Sequence, residues 1–353
     1  MLYRECGVFK STYAEDMAIF PLPLDKWGMG ILLIVAFLVI PMFADRYLLT
    51  SIMIPFLIYS LSTLGLNILT GYTGQLSLGH AAFMAVGAYT SFNLSFRLDL
   101  PILLCFLGGG LMSAAIGTLF GIPTMRIKGF YLIVSTLAAQ FTIEWVITHW
   151  AWVSGENVLG AIDTPPMEIL GWSIDTPVEK YLLTLVVVIV LTIFAKNLVR
   201  GKIGRAWISI REMDVASEII GVSQFRYKLL AFSVSSFYAG VAGALIAFCH
   251  LGCVQITEFE LLLSFWLLGM VIIGGMGSIL GSFLGAGFMV LLPIYINRVV
   301  RMTTDFVPSD ILTNLELMIF GGLIILFLIV EPYGLARLWL IIKGKLRAWP
   351  MPY

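Results

Sequence analysis

The chain has 353 residues, of which 59% are apolar and 12% charged, and its 21 basic and 21 acidic side chains leave no net charge. Soluble domains usually carry about 25% charged residues, so the composition excludes an ordinary soluble domain. The balanced charge gives no sign of a nucleic-acid partner. The four cysteines have neither metal-ligand nor disulfide-framework spacing, and no metal site is predicted.

Ten apolar segments come close to the length needed to cross a membrane, which is about 20 residues. They predict an all-α membrane protein with about ten transmembrane helices, which form a membrane domain over residues 28–340. Tails at 1–27 and 341–353 flank this domain. The segments lie at about 28–43, 49–69, 76–96, 101–122, 130–149, 181–199, 229–251, 259–274, 277–297 and 311–330. The first and eighth are short, so either could be tilted, re-entrant or slightly extended.

The charged residues between these segments predict the orientation of the chain. If the amino terminus is cytoplasmic, most of the 21 lysines and arginines face the cytoplasm, as the positive-inside rule requires. The five that face outside are Arg46, Arg97, Lys180, Arg298 and Arg301. The loop 150–180 is acidic and rich in tryptophan, which suits the outer surface of the membrane. Both termini are therefore expected in the cytoplasm.

Glycines and polar residues interrupt the apolar sequence between the second and third segments. Gly71, Gly74 and Gly79 predict a break in the helix, and Gln75 and Ser77 would stand at the start of the third span. A helix start offers free N–H groups to an anion such as a carboxylate, an arrangement found in transporters with discontinuous helices. The alternative is that the small residues only allow close helix packing.

Several polar side chains at membrane depth are candidates for a solute path, because such groups are costly unless they face protein or water. For His80, a hydrogen bond between helices is an equally good explanation. Glu144 could instead lie near the outer headgroups, although it shares a helix face with Gln140. Glu316 could pair across helices. The solute-path candidates are Asn67, Gln75, Ser77, His80, Gln140 and Glu144.

The basic loop 200–228 is too charged to enter the membrane, but it contains a helical pattern. Val215, Ala216 and Ile219 recur at helical spacing, with Asp214 as a candidate N-cap and Gly221 as a C-terminal stop. Such a helix could seat its apolar face in a groove of a soluble partner. The alternative is a solvated loop that only anchors the topology.

A second glycine-rich stretch lies between the eighth and ninth segments. Its glycines allow a tight turn and close approach of the two helices. They are Gly274, Gly275, Gly277 and Gly281.

Three stretches resemble those of the permease subunits of branched-chain amino-acid ABC importers, in particular the LivM-like member of the permease pair. The string GLNILTGYTGQLSLGHAAF at 65–83 matches the family's most distinctive pattern almost position by position. The stretches 204–232 and 274–286 resemble its coupling segment and its second glycine signature. Glu331 departs from the pattern, because an acid replaces the usual base. The outer loop at 153–160 also departs, which leaves the substrate open.

This resemblance implies a vitamin-B12-type (type II) permease fold in a bacterial inner membrane. It implies a second homologous permease, two ATP-binding subunits that dock on 204–222, and a periplasmic solute-binding protein. No phosphate-binding loop occurs in the sequence, so ATP and Mg would bind the partner subunits, and the chain itself is not expected to be an enzyme or to hold a cofactor. The ATPase-coupling candidates are Arg205, Arg211, Glu212, Asp214 and Gly221.

The expected function is import of branched-chain amino acids or related small solutes. Urea, short amides and aromatic acids are alternative substrates for the same kind of importer. An ion-coupled secondary transporter is a further alternative, and it would depend on intramembrane carboxylates such as Glu144 and Glu316. A membrane-embedded enzyme is disfavoured, because the three histidines are scattered along the chain.

Overall fold

The computed structural model describes residues 12, 23–124, 130–154, 162–169, 172–303, 309–331 and 333–348. Over these residues the chain is mainly helical, as expected where lipid cannot hydrogen-bond the backbone. The first eight helices are α1 (Pro23–Ile34, continuing through Ile40–Phe43), α2 (Arg46–Tyr72), α3 (His80–Leu98), α4 (Ile102–Thr124), α5 (Phe130–His149), α6 (Ala151–Ser154), α7 (Pro177–Arg200) and α8 (Lys202–Glu212). The others are α9 (Asp214–Ile219), α10 (Gln224–Leu251), α11 (Leu261–Gly274), α12 (Ile279–Thr303), α13 (Ser309–Val330) and α14 (Gly334–Ala348).

Each of the ten predicted segments is occupied by a helix over most of its length, which confirms the all-α membrane class. Eight helices of the described chain are long and apolar enough to span a membrane. A ninth is obtained if the bent pair Asn314–Val330 and Gly334–Gly344 counts as one span. The third predicted segment is present as α3 but is too polar to meet the same criterion. It needs less apolar sequence because most of its length is buried against other helices.

The two short segments are longer in the structure than in the sequence pattern. The first is a helix from Pro23 that reaches Phe43 through a π-helical turn. The eighth gains a 3₁₀ turn at Ile256–Phe259, so that it extends over Ile256–Gly274. Both are thus extended rather than interrupted.

The helices α3, α4 and α10 form the most tightly packed part of the membrane domain. Gly87 in α3 and Gly240 in α10 lie so close that a Cβ on Gly87 would overlap the backbone of Gly240. Ser113 in α4 is buried, and its hydroxyl lies 2.9 Å from the carbonyl oxygen of Phe83 and 2.8 Å from that of Ser236. Small residues therefore bring these three backbones together, as is common in membrane proteins.

Within the described residues, four short strands lie in the segments that connect the helices. β1 (Ile162–Asp163) pairs antiparallel with β4 (Cys253–Val254), with Ile162 opposite Val254. β2 (Glu168–Ile169) pairs with β3 (Trp172–Ser173), with Glu168 opposite Ser173. The predicted loop 150–180 thus contains a hairpin and is tied to the segment after α10. Its residues 155–161 and 170–171 lie outside the described residues.

The predicted tails are described only in part. Most of the tail 1–27 and the residues after 348 lie outside the described residues. The boundary predicted at 340 falls inside α14, which runs from Gly334 to Ala348. One helix therefore continues across this boundary.

Candidate functional site

The loop between α7 and α10 is built on the helix α8, which packs against the membrane helices. Trp207 is fully buried in it, and its indole Nε1–H donates a hydrogen bond to the carbonyl of Tyr227 at 2.9 Å. Gly204 lies against Val199 at the end of α7, where an added Cβ would overlap the backbone. These contacts hold α8 against α7 and α10.

The predicted loop helix is present as α9, and Gly221 ends it as expected. Gly221 has φ of +93°, which glycine adopts without strain. Its N–H donates to the carbonyl of Glu218, and the N–H of Val222 donates to the carbonyl of Ser217, both at 3.0 Å. This pair of hydrogen bonds is the Schellman motif that closes a helix C-terminus.

The prediction of Asp214 as the N-cap is wrong by one residue. Met213, with extended backbone angles, occupies the N-cap position, and Asp214 is the first residue of the helix. The Oδ1 atom of Asp214 accepts a hydrogen bond from the N–H of Val215 at 2.8 Å. Its carbonyl accepts one from the Nε2 of Gln224 at 2.6 Å, which ties α9 to the first turn of α10.

The apolar side chains of this turn point into solvent instead of packing on the spans. Ile219 is 82% exposed and Ile220 is 80% exposed. Met213 and Val215 are exposed beside them, and Arg205 and Glu212 are exposed on the neighbouring helix α8. An apolar patch held rigidly by hydrogen bonds and surrounded by charged residues is typical of a docking site for a partner.

The two glycine-rich stretches meet next to this loop. Asn67 in α2 is fully buried, and its Nδ2 donates to the carbonyl of Ser278 at 2.8 Å and to the hydroxyl of Ser282 at 2.9 Å. Its Oδ1 accepts from the N–H of Gly277 at 2.8 Å. These bonds join α2 to the turn between α11 and α12. Arg211, at the end of α8, donates from Nη1 to the carbonyl of Gly71 at the same place.

The glycines of the second stretch allow the close approach of two helices, here α11 and α12, that the sequence predicts. A Cβ on Gly281 would lie 2.7 Å from the carbonyl oxygen of Gly274 and 2.8 Å from that of Gly275. Gly275 has φ of +115° and lies against the carbonyl of Tyr333, at the bend between α13 and α14. Three parts of the chain therefore converge on one tight turn.

The predicted break between the second and third spans is also present. α2 ends in a π-helical turn at Ile68–Tyr72, and α3 begins only at His80. Gln75 and Ser77 therefore lie in the connection, and the prediction that they start the third span is wrong. The break costs little because other helices satisfy the connection: the N–H of Leu78, for example, donates to Thr136 Oγ1 at 3.0 Å.

Gly74 and Gly79 each have a steric reason to be glycine in this connection. Gly74 has φ of +72°, and a Cβ on Gly79 would lie 2.6 Å from the carbonyl oxygen of Thr136. The N–H of Gly79 donates to the hydroxyl of Ser77 at 3.3 Å. Gln75 is buried, and its N–H donates to the carbonyl of Leu69 at 3.1 Å.

The start of α3 does not offer the free N–H groups that the sequence predicts. The N–H of Ala81 donates to Ser264 Oγ at 2.9 Å, and the N–H of Ala82 donates to Gln140 Oε1 at 2.8 Å. Gln140 also donates from Nε2 to the carbonyl of Phe259 at 2.9 Å. Side chains of α5 and α11 thus occupy the positions where an anion would bind.

His80 forms a hydrogen bond between helices, which is one of the two roles that the sequence allows for this residue. Its ring Nε2 lies 3.1 Å from the carbonyl oxygen of Ser62 in α2, and the side chain is almost fully buried. The N–H groups that follow it are bonded by Gln140 and Ser264 as described above. Contact of His80 or Gln140 with a substrate stays a prediction.

The two carboxylates at membrane depth differ in their surroundings. Glu144 is partly exposed near the end of α5, beside the exposed and stacked rings of Trp145 and His149. Glu316 accepts a hydrogen bond from Asn297 Nδ2 at 2.8 Å, which confirms that it pairs across helices. Within the described part of the chain, no group of three or more His, Cys, Asp and Glu side chains could hold a metal ion.

Sequence reasoning missed the serines and the threonine that complete these hydrogen bonds. Ser264, Ser282 and Thr136 are buried and bind backbone or side-chain groups of other helices. Single hydroxyl residues in apolar helices are common, and their spacing did not separate these from the others. The proximity of Arg211 to Gly71 also left no signal in either local pattern.

Polytopic helices, an interrupted helix, buried polar links between helices and an exposed apolar turn in a basic loop are features found in membrane transport proteins. The family model of the permease component of branched-chain amino acid transport systems matches residues 48–328. The chain therefore belongs to this family of permease components, which are transport proteins and not enzymes.

Individual relatives agree with this family. The chain is similar to the high-affinity branched-chain amino acid transport system permease protein LivM of Salmonella typhimurium and to that of Escherichia coli. Each is 32% identical over 301 residues, which is 79% of this chain and 68% of the relative. It is also similar to a probable LivM permease of Methanocaldococcus jannaschii, 23% identical over 82% of this chain and 93% of the relative. No solved structure gives a significant match.

Proposed function

We propose that this chain is one of two related permease subunits of an ATP-driven importer in a bacterial inner membrane. The observation that carries the proposal is the exposed apolar turn of α9, centred on Ile219 and Ile220. Solvation of two isoleucines is unfavourable, so this surface is expected to be covered by a partner. An ATP-binding subunit that docks on 204–222 would meet both the turn and the charged residues around it.

The proposed substrates are branched-chain amino acids, supported by the similarity of the chain to permeases of branched-chain amino acid transport systems. A solute-binding protein would deliver the substrate on the outer side, and the distribution of basic residues supports an outer position for the loop 150–180 and β4. Both termini would then be cytoplasmic. ATP and Mg would be bound by the partner subunits, and this chain would bring no cofactor of its own.

The mechanism follows from how the loop is attached to the membrane helices. Closure of two ATP-binding subunits would move α8 and α9 together, because Gln224 and Trp207 hold them to α10. The movement would shift the population between inward-open and outward-open arrangements of the spans. The fold would be of the vitamin-B12 type, with the coupling loop between the sixth and seventh spans.

Uptake of labelled leucine tests this function, with urea and benzoate as comparisons. Cells that lack the chain are compared with cells in which it is restored together with its partner subunits. Uptake that requires the chain and ATP, and that survives a proton uncoupler while ATP is maintained, is expected. Uptake that collapses with the proton gradient alone would contradict an ATP-driven importer. Uptake of only urea or benzoate would contradict the substrate and leave the importer class intact.

A further inference from the structure

Arg211 connects the coupling loop to the glycine break in α2. Its guanidinium Nη1 donates a hydrogen bond to the carbonyl of Gly71, and its Nη2 forms an ion pair with Glu212 at 2.8 Å. Gly71 lies in the π-helical turn that ends α2. Hydrogen bonds from a charged donor are the stronger ones, so this contact links the end of α8 firmly to the end of α2.

Three glycines form the surface on which Arg211 lies. A Cβ on Gly74 would lie 3.1 Å from Arg211 Cγ, and one on Gly277 would lie 3.1 Å from Arg211 Nη1. Both residues have positive φ, so glycine suits their backbone as well. A Cβ on Gly71 would overlap Asn67 Oδ1 and the backbone of Gly277. The glycines of both motifs thus leave room for one arginine side chain.

Asn67 extends the contact to a third part of the chain. Its bonds to Gly277, Ser278 and Ser282 hold α2 against the start of α12. The carbonyl of Gly71, which Arg211 binds, and the side-chain amide of Asn67, which fixes the turn before α12, are one helical turn apart on α2. These hydrogen bonds form a continuous connection from Arg211 to α2 and, through Asn67, to α12.

We infer that Arg211 is the positioning residue through which movement of the coupling loop reaches α2 and α12. Under this inference Asn67, Gly71 and Gly277 belong to the coupling machinery and not to a solute path. The inference rests on the proposed function, because it requires an ATP-binding subunit that moves α8 and α9. It goes further by assigning one side-chain contact to the transmission of that movement.

Hydrogen–deuterium exchange of the assembled complex tests the transmission directly. In the wild type, a non-hydrolysable ATP analogue is expected to change exchange in both 213–222 and 68–79. In Arg211→Gln, the change in 213–222 is expected to persist, while the change in 68–79 is lost. An unaltered response of 68–79 in this variant would overturn the inference. Loss of the response in both segments would also overturn it, because Arg211 would then act in docking.

Transport assays in proteoliposomes provide a second measurement. Arg211→Gln is expected to keep its ATP-binding subunits and its ATPase activity but to import about tenfold less substrate per ATP, the size expected for loss of one charge-assisted hydrogen bond. Arg211→Lys keeps a donor and should recover part of the loss. Arg46→Gln removes an exposed arginine from the other end of α2 and should import normally.

The assays separate failure of this inference from failure of the proposed function. If wild-type proteoliposomes show no ATP-driven uptake, the proposed function is wrong, and the inference falls with it. If the wild type imports substrate with ATP and Arg211→Gln imports equally well per ATP, the inference alone is overturned. A merely structural role of Arg211 would lower the thermal stability of the complex and its ATPase activity together, which would likewise overturn it.

Discussion

The side-chain oxygen of Asn67 accepts a hydrogen bond from the backbone N–H of Gly277 at 2.8 Å, across 210 positions of sequence. Each residue belongs to one of the two glycine-rich stretches that the sequence sets apart. The contact shows that these stretches form one junction, where α2 meets the turn before α12. Arg211 reaches the same junction from the coupling loop.

Replacement of Asn67 by alanine is expected to destabilise this junction. The side chain is fully buried, and its loss leaves the N–H of Gly277 and the carbonyl of Ser278 without this partner. A buried polar group left unsatisfied costs about 1–3 kcal/mol, so we expect a total loss of at least about 2 kcal/mol. Thermal unfolding of the purified variant measures the effect. Asn197→Ala, at an exposed position of α7, is the matched control. Equal stability of the two variants would contradict the described hydrogen bonds.

Two glycine-to-alanine changes should have different effects. The Cβ of Gly281→Ala would lie 2.7–2.8 Å from two backbone carbonyl oxygens, which cannot move away as a side chain can. Overpacking of this kind costs about 1–3 kcal/mol. Gly322→Ala adds the same methyl group to α13, where no atom lies within 4 Å. The thermal midpoint of Gly281→Ala is expected to fall while that of Gly322→Ala stays close to wild type. A similar fall in both would show that the α11–α12 contact is not this close.

Gln140 offers a test between a structural role and a role in the solute path. Gln140→Leu leaves the N–H of Ala82 and the carbonyl of Phe259 without their partner, at about 1–3 kcal/mol for each. We expect a lower thermal midpoint, with the KM for uptake unchanged in the protein that remains folded. Glu144→Gln, on the same helix and partly exposed, should leave the midpoint unchanged. A raised KM at wild-type stability would instead place Gln140 against the substrate.

The length of the apolar runs was sufficient to predict the membrane helices, because lipid forces the backbone to bond within each segment. The glycines located the break between Gly71 and Gly74 and the end of α9 at Gly221, since glycine marks positions where the backbone turns. The pattern of apolar residues started the third span too early and so included Gln75 and Ser77 in it. Such a pattern does not show where a π-helical turn ends. The helix start at His80 is set by tertiary hydrogen bonds that no local pattern encodes.

The residues of this junction could be selected from the sequence one by one, but their arrangement could not. Asn67, Arg211 and Gly277 were each selected from separate motifs, and the sequence assigned Asn67 to a solute path and Arg211 to docking. Their common junction depends on how α2, α8 and α12 pack. The partners Ser264 and Ser282 were not selected, because a lone serine in an apolar helix also occurs where it only bonds its own backbone.

The apolar turn of α9 gives a prediction about assembly. Ile219→Asp places a charge on a side chain that is 82% exposed, so the stability of the isolated chain should change little. If the turn is buried by a partner, the buried charge is unfavourable and the complex should be weakened by about 2 kcal/mol or more. Co-purification of the ATP-binding subunits measures this loss. Phe225→Asp, at an exposed position of α10 outside the proposed docking segment 204–222, shows whether any charge in the loop has the same effect. Normal co-purification of Ile219→Asp would contradict docking on α9.

Cys253 gives a test of orientation that also depends on pH. It lies in β4 opposite Asp163, and burial raises the pKa of its thiol above the usual value, with further increases from the carboxylates of Asp163 and Glu258. The thiolate is the reactive form, so labelling by a membrane-impermeant maleimide should be slow at neutral pH. The rate should then rise about tenfold per pH unit until the raised pKa is reached. The assay uses a Cys6→Ser background, Cys105 and Cys249 are buried, and Cys253→Ser should then remove the signal. Labelling of Cys253 only after the inner membrane is permeabilised would reverse the proposed orientation, and a rate independent of pH would contradict the raised pKa.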